Sequence, residues 1–243
     1  GCQAAKWDQV FNLLAKKWHQ EPCLWIGRAH RRVWQNRWNE AADDYAKVMD
    51  GRPLFHEEVI EYAYLLAFRN DSVGYAKFCN QMISQPGEPT NPGNARKLAL
   101  ICTAGPNEAC DPVKAIQWAK QAAYIGDGVN GRRTYALGMA YLRAGQYEKA
   151  IHAFRESNNI GWNSEVEHAP NWFAMAIAHH QLQQNHQAQN CFDNACKLMR
   201  RAQPNGVAEW FVNVTPLDWL AMQTLRREAE AINPSWAKLD QNR

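Results

Sequence analysis

The chain has 243 residues, with 27 Lys and Arg against 24 Asp and Glu, for a formal net charge of +3. A charge that small gives no reason to name nucleic acid or an anionic membrane as an obligate partner, and no apolar run approaches the roughly 20 residues that a membrane-crossing helix needs. Tryptophan is the outlier, with 11 residues against 8 Phe and 8 Tyr. The first residues, Gly1-Cys2-Gln3, hold no basic-then-apolar stretch, so no signal peptide is expected. Seven cysteines without a C-x-x-C pair or a regular spacing argue against a zinc ribbon. They read as reduced core thiols of a cytoplasmic chain, with a disulfide framework the poorer alternative.

The elements follow one pattern along the chain. In the stretch 1–21, Trp7, Val10, Leu14 and Trp18 share one face of a helix that has no partner helix before it. Residues 22–55 then predict a helical hairpin with Trp25, Ala29, Trp38, Ala41 and Tyr45 at the packing positions and Pro53 at its end. Residues 56–90 predict a second hairpin through Val59, Ala63, Tyr75, Cys79 and Met82. There a tyrosine takes a place that wants a small side chain, so the two helices should pack more loosely or at another angle. Residues 92–129 give a third, around Ala99, Ala115, Ala119 and Ala122, with a longer loop at 104–111.

The clearest unit, 131–164, contains TYALGMAYLRAGQYEKAIHAFRES at 134–157. Gly138 and Ala150 mark the crossing of two antiparallel helices, Gly145 the turn, and Tyr147 and Phe154 the filling between them. Thirty-eight residues later Ala176, Ala188, Phe192 and Ala195 repeat Gly138, Ala150, Phe154 and Ser157, with Trp172 matching Thr134, in a unit spanning 169–203. The extra length falls in an extended connection at 163–170. Thr215-Pro216 then opens a single amphipathic helix, 215–233, with Thr215 as N-cap. Such a helix stacked on the last repeat would cap the array. Residues 234–243 read as a loose tail.

This register resembles the tetratricopeptide repeat, a helix–turn–helix unit of about 34 residues. The fold expected is all-α: a right-handed superhelix of about five and a half such repeats with a C-terminal capping helix. The run at 73–123, followed by TYALGMAYLRAGQYEKAI and WFAMAIAHHQL, is also similar to the repeat region at the C-terminal end of large planctomycete proteins. There it lies behind a serine/threonine kinase domain or a WD-repeat propeller. Ser157 in place of the usual Ala, and Gln183-Gln184-Asn185 in place of a glycine turn, are departures from that family. The resemblance implies a bacterial interaction module, with any catalysis in an attached domain. The uncapped first helix points the same way, to a chain that is the C-terminal part of something longer.

Candidate chemistry is sparse. His179 and His180 project about 100° apart on a helix and cannot chelate one ion unless His186 or His152 converges on them. His179 is expected to face its partner helix and His180 the inner surface. Kinase motifs are missing; the nearest string, Ala29-His30-Arg31-Arg32, lacks the catalytic Asp. No catalytic residue, cofactor or metal is expected. Arg28, Arg31, Arg32 and Arg37 interleave with Trp25, Trp34 and Trp38 as at single-stranded nucleic-acid sites. The preferred reading has these arginines on solvated faces near Glu40, Asp43 and Asp44.

The register instead assigns a concave groove. Its lining is Ile26, His30, Val33 and Trp34, then Ile60, Tyr64 and Phe68, then Tyr135, Met139 and Arg143, then Phe173, Ile177 and His180. An apolar, aromatic lining suits an amphipathic helix or an extended apolar peptide. Chaperone-binding relatives hold a terminal carboxylate with a Lys, Asn and Arg set that this lining lacks. The competing expectation is that the groove is covered from within, by the C-terminal helix or by a neighbouring domain. Two functional readings follow. One is a scaffold that binds a protein or peptide partner; the other is a regulatory module acting on an attached kinase or propeller.

Overall fold

The computed structural model describes residues 2–18, 21–49, 56–85, 89, 91–106, 110–124, 130–160, 164–202 and 214–240. In chain order the helices are α1 (Cys2–Lys17), α2 (Pro22–Trp34), α3 (Trp38–Met49), α4 (Glu58–Phe68), α5 (Ser72–Ile83), α6 (Pro92–Thr103) and α7 (Pro112–Tyr124). They continue with α8 (Gly131–Arg143), α9 (Tyr147–Ile160), α10 (Ala169–Gln181), α11 (Asn185–Ala202), α12 (Pro216–Ile232) and α13 (Ser235–Asp240). Among the described residues there is no strand, and no helix is long and apolar enough to cross a membrane.

Local signals set the boundaries. Asp71, Asn91, Asn130 and Thr215 each accept a backbone N–H of the first turn that follows, and proline sits in the first turn of α2, α6, α10 and α12. Four hairpin turns share one device, a single residue in the left-handed region: Asn36, Asn70, Gly145 and Gln183. In each, that residue's N–H bonds three residues back and the next N–H bonds five back, as in Gly145 to Leu142 and Gln146 to Tyr141. These bonds satisfy carbonyls that the helix end would otherwise leave open.

Packing follows the small residues. Helices α2–α3, α6–α7, α8–α9 and α10–α11 form the tight antiparallel pairs; α3 packs on α4, α4 on α6, α7 on α8 and α9 on α10. Ala29, Ala41, Ala150, Ala176 and Ala188 are fully buried at the crossings. At Gly138 a side chain is impossible without movement, because a Cβ there would stand 2.5 Å from the Phe154 ring. Ser157, fully buried, donates to Gly131 O at 2.7 Å and accepts from Asn171 Nδ2 at 3.1 Å, which ties α8, α9 and α10 together. The α4–α5 pair is the loose one. Tyr75 reaches across to α6, where its hydroxyl donates to Ile101 O and accepts from Gly105 N, instead of filling its own hairpin.

The fold is thus the expected all-α, tetratricopeptide-like solenoid with a helix closing its C-terminal part. Three local expectations need correction. First, α12 does not stack on the end of the array; it packs on α4, α10 and α2, the first helices of their hairpins. Second, Ser235–Asp240 is a short helix and not a loose tail: Trp236, 1% exposed, stacks on Phe192 at 4.9 Å. Third, the connection before α10 is wound into a 3-10 turn, Glu165–His168. The Trp7 side chain, Pro53 and the hairpin ends assigned near 50–55, 86–90, 125–129 and 203 fall wholly or mostly outside the described residues.

Candidate interaction groove

The inner surface is built by the first helix of each hairpin, and α12 runs along it. Trp219 of α12 packs on Trp34 with ring centroids 5.6 Å apart. Thr224 Oγ1 donates to the carbonyls of Leu220 at 2.7 Å and Tyr64 at 3.3 Å. Arg227 lies over the Phe68 ring at 5.2 Å and donates to the Phe68 carbonyl. Two ion pairs fasten the ends: Arg132 Nη1 to Asp218 at 3.1 Å near the start of α12, and Arg143 Nη2 to Glu228 at 2.8 Å near its end. Residues Asp218 to Met222 are all buried, so this half of α12 is enclosed on every side.

The residues assigned to the groove therefore divide. Trp34, Tyr64, Phe68 and Arg143 meet α12 directly. Tyr135 joins them through its hydroxyl, 2.9 Å from that of Tyr64. Ile26, Val33, Ile60 and Met139 are buried in the continuous core, and Ile177 is buried beside a cavity near the end of α12. His30 does not face an opening: its Nε2 is 2.8 Å from Glu61, which also accepts from Tyr45 OH at 2.6 Å. Phe173 turns to its own hairpin partner, Phe192, at 5.6 Å, and His180 meets Trp236 at 5.7 Å. His179 is buried and bonds Gln184 through Nδ1. Among the described residues no group of three His, Cys, Asp or Glu could hold a metal ion.

Electrostatics reinforce the arrangement. Burial works against the Arg143 charge, but Glu228 overrides it and holds the guanidinium above its ordinary pKa. Burial pushes the Tyr64 hydroxyl up to about 12, so the Tyr64–Tyr135 contact is between neutral groups. The indole N–H groups of Trp34 and Trp219 are buried with no hydrogen-bond partner among the described residues.

The arginines of α2 and its turn also depart from expectation. Arg28 is 5% exposed and Asp44 fully buried; Arg28 Nη2 meets Asp44 at 2.7 Å, and Arg32 Nη1 meets it at 2.5 Å. Arg28 further donates to Asn12, and Arg37 to Asp8, so the cluster fastens α1 to the first hairpin. These are internal clamps, not a solvated face. Sequence reasoning missed Asp218, Glu228 and Arg132; their signal was charge within the apolar pattern of α12 and at the start of α8. It also missed a cavity of about 270 Å³ at the C-terminal end of α12, lined in part by Cys102, Cys110, Arg143, Glu228 and Ile232.

The family model for the tetratricopeptide repeat matches residues 134–160, the α8–α9 hairpin. A crystal structure of MamA protein aligns with 80% of this chain and 98% of that chain at 14% identity, with a TM-score of 0.36. A MamA AMB-1 structure in the P212121 form aligns with 79% of this chain and 98% of that one at 16% identity, with a TM-score of 0.37. Among curated proteins, none matches the chain.

Proposed function

We propose that the chain is a protein-interaction scaffold whose inner groove recognises an amphipathic helix, with α12 as its resident occupant. The observation that carries this reading is the seating of α12 itself. An apolar helix with one acidic group near each end fits between Arg132 and Arg143 and covers Trp34, Tyr64 and Phe68. A partner helix of the same pattern would exchange with it. The unpartnered Trp34 indole favours exchange, since a buried donor left unmade costs about 1–3 kcal/mol that a partner with a matching acceptor recovers.

Exchange has a stiff competitor. A tethered helix acts at an effective concentration of roughly millimolar, so a free helix binds weakly until the tethered one is loosened. Glu228→Arg would set two cations against each other at the end of α12 without touching the apolar lining. A labelled peptide of the α12 sequence should bind the full-length variant at least about tenfold more tightly than the unaltered chain, the shift expected for losing one ion pair of this burial. Equal binding to both, with circular dichroism unchanged, would sink the exchange reading. Tyr64→Ala is the wrong probe, because Tyr64 is fully buried and its loss would unsettle the core.

The second reading, a regulatory module for an attached kinase or propeller, draws on α1 and the residue that follows it, where Val10, Leu13 and Trp18 are exposed. The parent reading frame upstream of Gly1 tests it. A kinase or propeller domain there supports the reading, and an open reading frame that encodes neither removes it.

A further inference from the structure

The groove holds α12 in one register. Arg132 and Arg143 stand on α8 about three turns apart, so both project from the same side of it. They meet Asp218 and Glu228, which are spaced almost equally along α12. At the C-terminal end of α12 this register leaves a cavity of about 270 Å³. One water needs roughly 10–15 Å³, so the cavity is far larger than the gaps a well-packed interior leaves. Two of its wall residues, Glu228 and Ile232, belong to α12 and lie one turn apart on one face. Across from them, Leu142 and Ile177 are buried and apolar, while Arg143 and Gln181 bring polar groups.

The resident helix cannot move to close this space. Its ion pairs fix it upstream, and Ile232 is only partly buried against the core. Asn233 ends the helix with its N–H on the Ala229 carbonyl, and Pro234 follows. Trp236 is then held on Phe192 at 4.9 Å. The wall also sets what fits. An aliphatic side chain would suit Leu142 and Ile177 but leave Arg143 and Gln181 facing hydrocarbon. An aromatic ring offers an apolar body to the first pair and a face that attracts a guanidinium. An indole adds one N–H donor, for which Gln181 and Glu228 both carry acceptors.

Resting on the exchange reading above, we propose that the groove's partner is a helix with acidic residues at the Asp218 and Glu228 positions and a large aromatic residue, tryptophan best, at the Ile232 position. The two arginines set the register, and the cavity one turn beyond the second reads the aromatic side chain. With isoleucine at that third place, α12 is the weaker ligand of its own groove.

The test uses three labelled peptides of residues 215–233: the unaltered sequence, Ile232→Trp, and Ala231→Trp as the control. Ala231 is exposed in the seated helix, so a tryptophan there adds the same ring outside the cavity. Each peptide is titrated into the full-length Glu228→Arg chain. Ile232→Trp should bind about tenfold more tightly than the unaltered peptide, a gain within the range of cavity filling. Ala231→Trp should stay within about twofold of it, as surface changes do. Equal binding of Ile232→Trp and the unaltered peptide overturns this inference while leaving the exchange reading in place, and so does an equal gain from Ala231→Trp. Binding by none of the three overturns both. A second measurement needs neither the peptides nor the Glu228 variant. Ile232→Trp in the otherwise unaltered chain should raise the thermal midpoint by about 2–4 °C, because the same ring fills the same space. A midpoint that is unchanged or lower overturns the proposal.

Discussion

At the scale of single residues, several charges in this chain are internal fittings, Arg28, Asp44, Glu61 and Asp218 among them. His30 shows how such a fitting responds to pH. Burial alone would lower its pKa, but the hydrogen bond to Glu61, with the charges of Glu61 and Glu58, leaves it raised above its ordinary value. Tyr45 faces the same carboxylate from α3, and burial first, then Glu61, pushes its hydroxyl up, so it stays a neutral donor. A group with a raised folded pKa adds stability that is fully present below its unfolded pKa and is lost as pH rises through the folded value. Thermal unfolding of the chain should therefore lose a His30-dependent increment as pH rises from about 6 upward, starting at the unfolded value. His30→Gln should flatten that part of the profile. A profile of the same shape in His30→Gln would show that the Glu61 contact does not carry charge. None of this was legible in the sequence. Spacing placed His30 on an inner face and Arg28 beside acidic neighbours, but burial of both depends on α4 and α3, which spacing does not position.

At the scale of helices and turns, much more could be read. The crossings at Ala29/Ala41, Gly138/Ala150 and Ala176/Ala188 were legible because only small residues let two helices approach there, and the structure buries all of them, with Gly138 against the Phe154 ring. The loose α4–α5 hairpin was legible from Tyr75 for the same reason. What spacing could not show is where Tyr75 would go instead. The turns carry a second lesson. Gln183 stood out in the sequence as a departure from a glycine turn, and the backbone keeps the turn anyway, with φ of 58°. A left-handed residue with a Cβ costs about 1–2 kcal/mol relative to glycine. Part of that is offset because glycine has more freedom to lose on folding. Gln183→Gly should accordingly stabilise the chain by about 1 kcal/mol in urea unfolding, and Asn36→Gly by less, since asparagine tolerates this region. A loss of stability in Gln183→Gly would mean that the Gln183 side chain supports the turn in some other way. The short helix α13 escaped the reading because one turn after Pro234 has no periodicity to detect; Trp236 holds it by stacking on Phe192.

At the scale of the whole molecule, the decisive feature is where α12 lies. Its amphipathic pattern and Thr215 cap were plain in the sequence, but a pattern says that a face will be buried and not against what. Repeat arrays are ordinarily quasi-one-dimensional, each unit touching only its neighbours, so distant repeats can unfold separately. Here α12 bonds to α8 through Arg132 and Arg143 and packs on α2, α4 and α10, so it touches hairpins at both ends of the array. A helix placed so is expected to couple units that could have been independent. Circular dichroism and hydrogen exchange at the amides of α4 and α10 should report one coincident transition in the unaltered chain. Leu225 is fully buried in α12, and Leu225→Ala should cost about 2–5 kcal/mol. If α12 is the tie, that loss does more than lower the midpoint. The α4 and α10 transitions should separate, with the loose α4–α5 hairpin opening at lower urea than the α10–α11 pair. A single coincident transition at a lower midpoint would instead mean that neighbour-to-neighbour packing already couples the repeats, and that α12 adds stability without adding cooperativity.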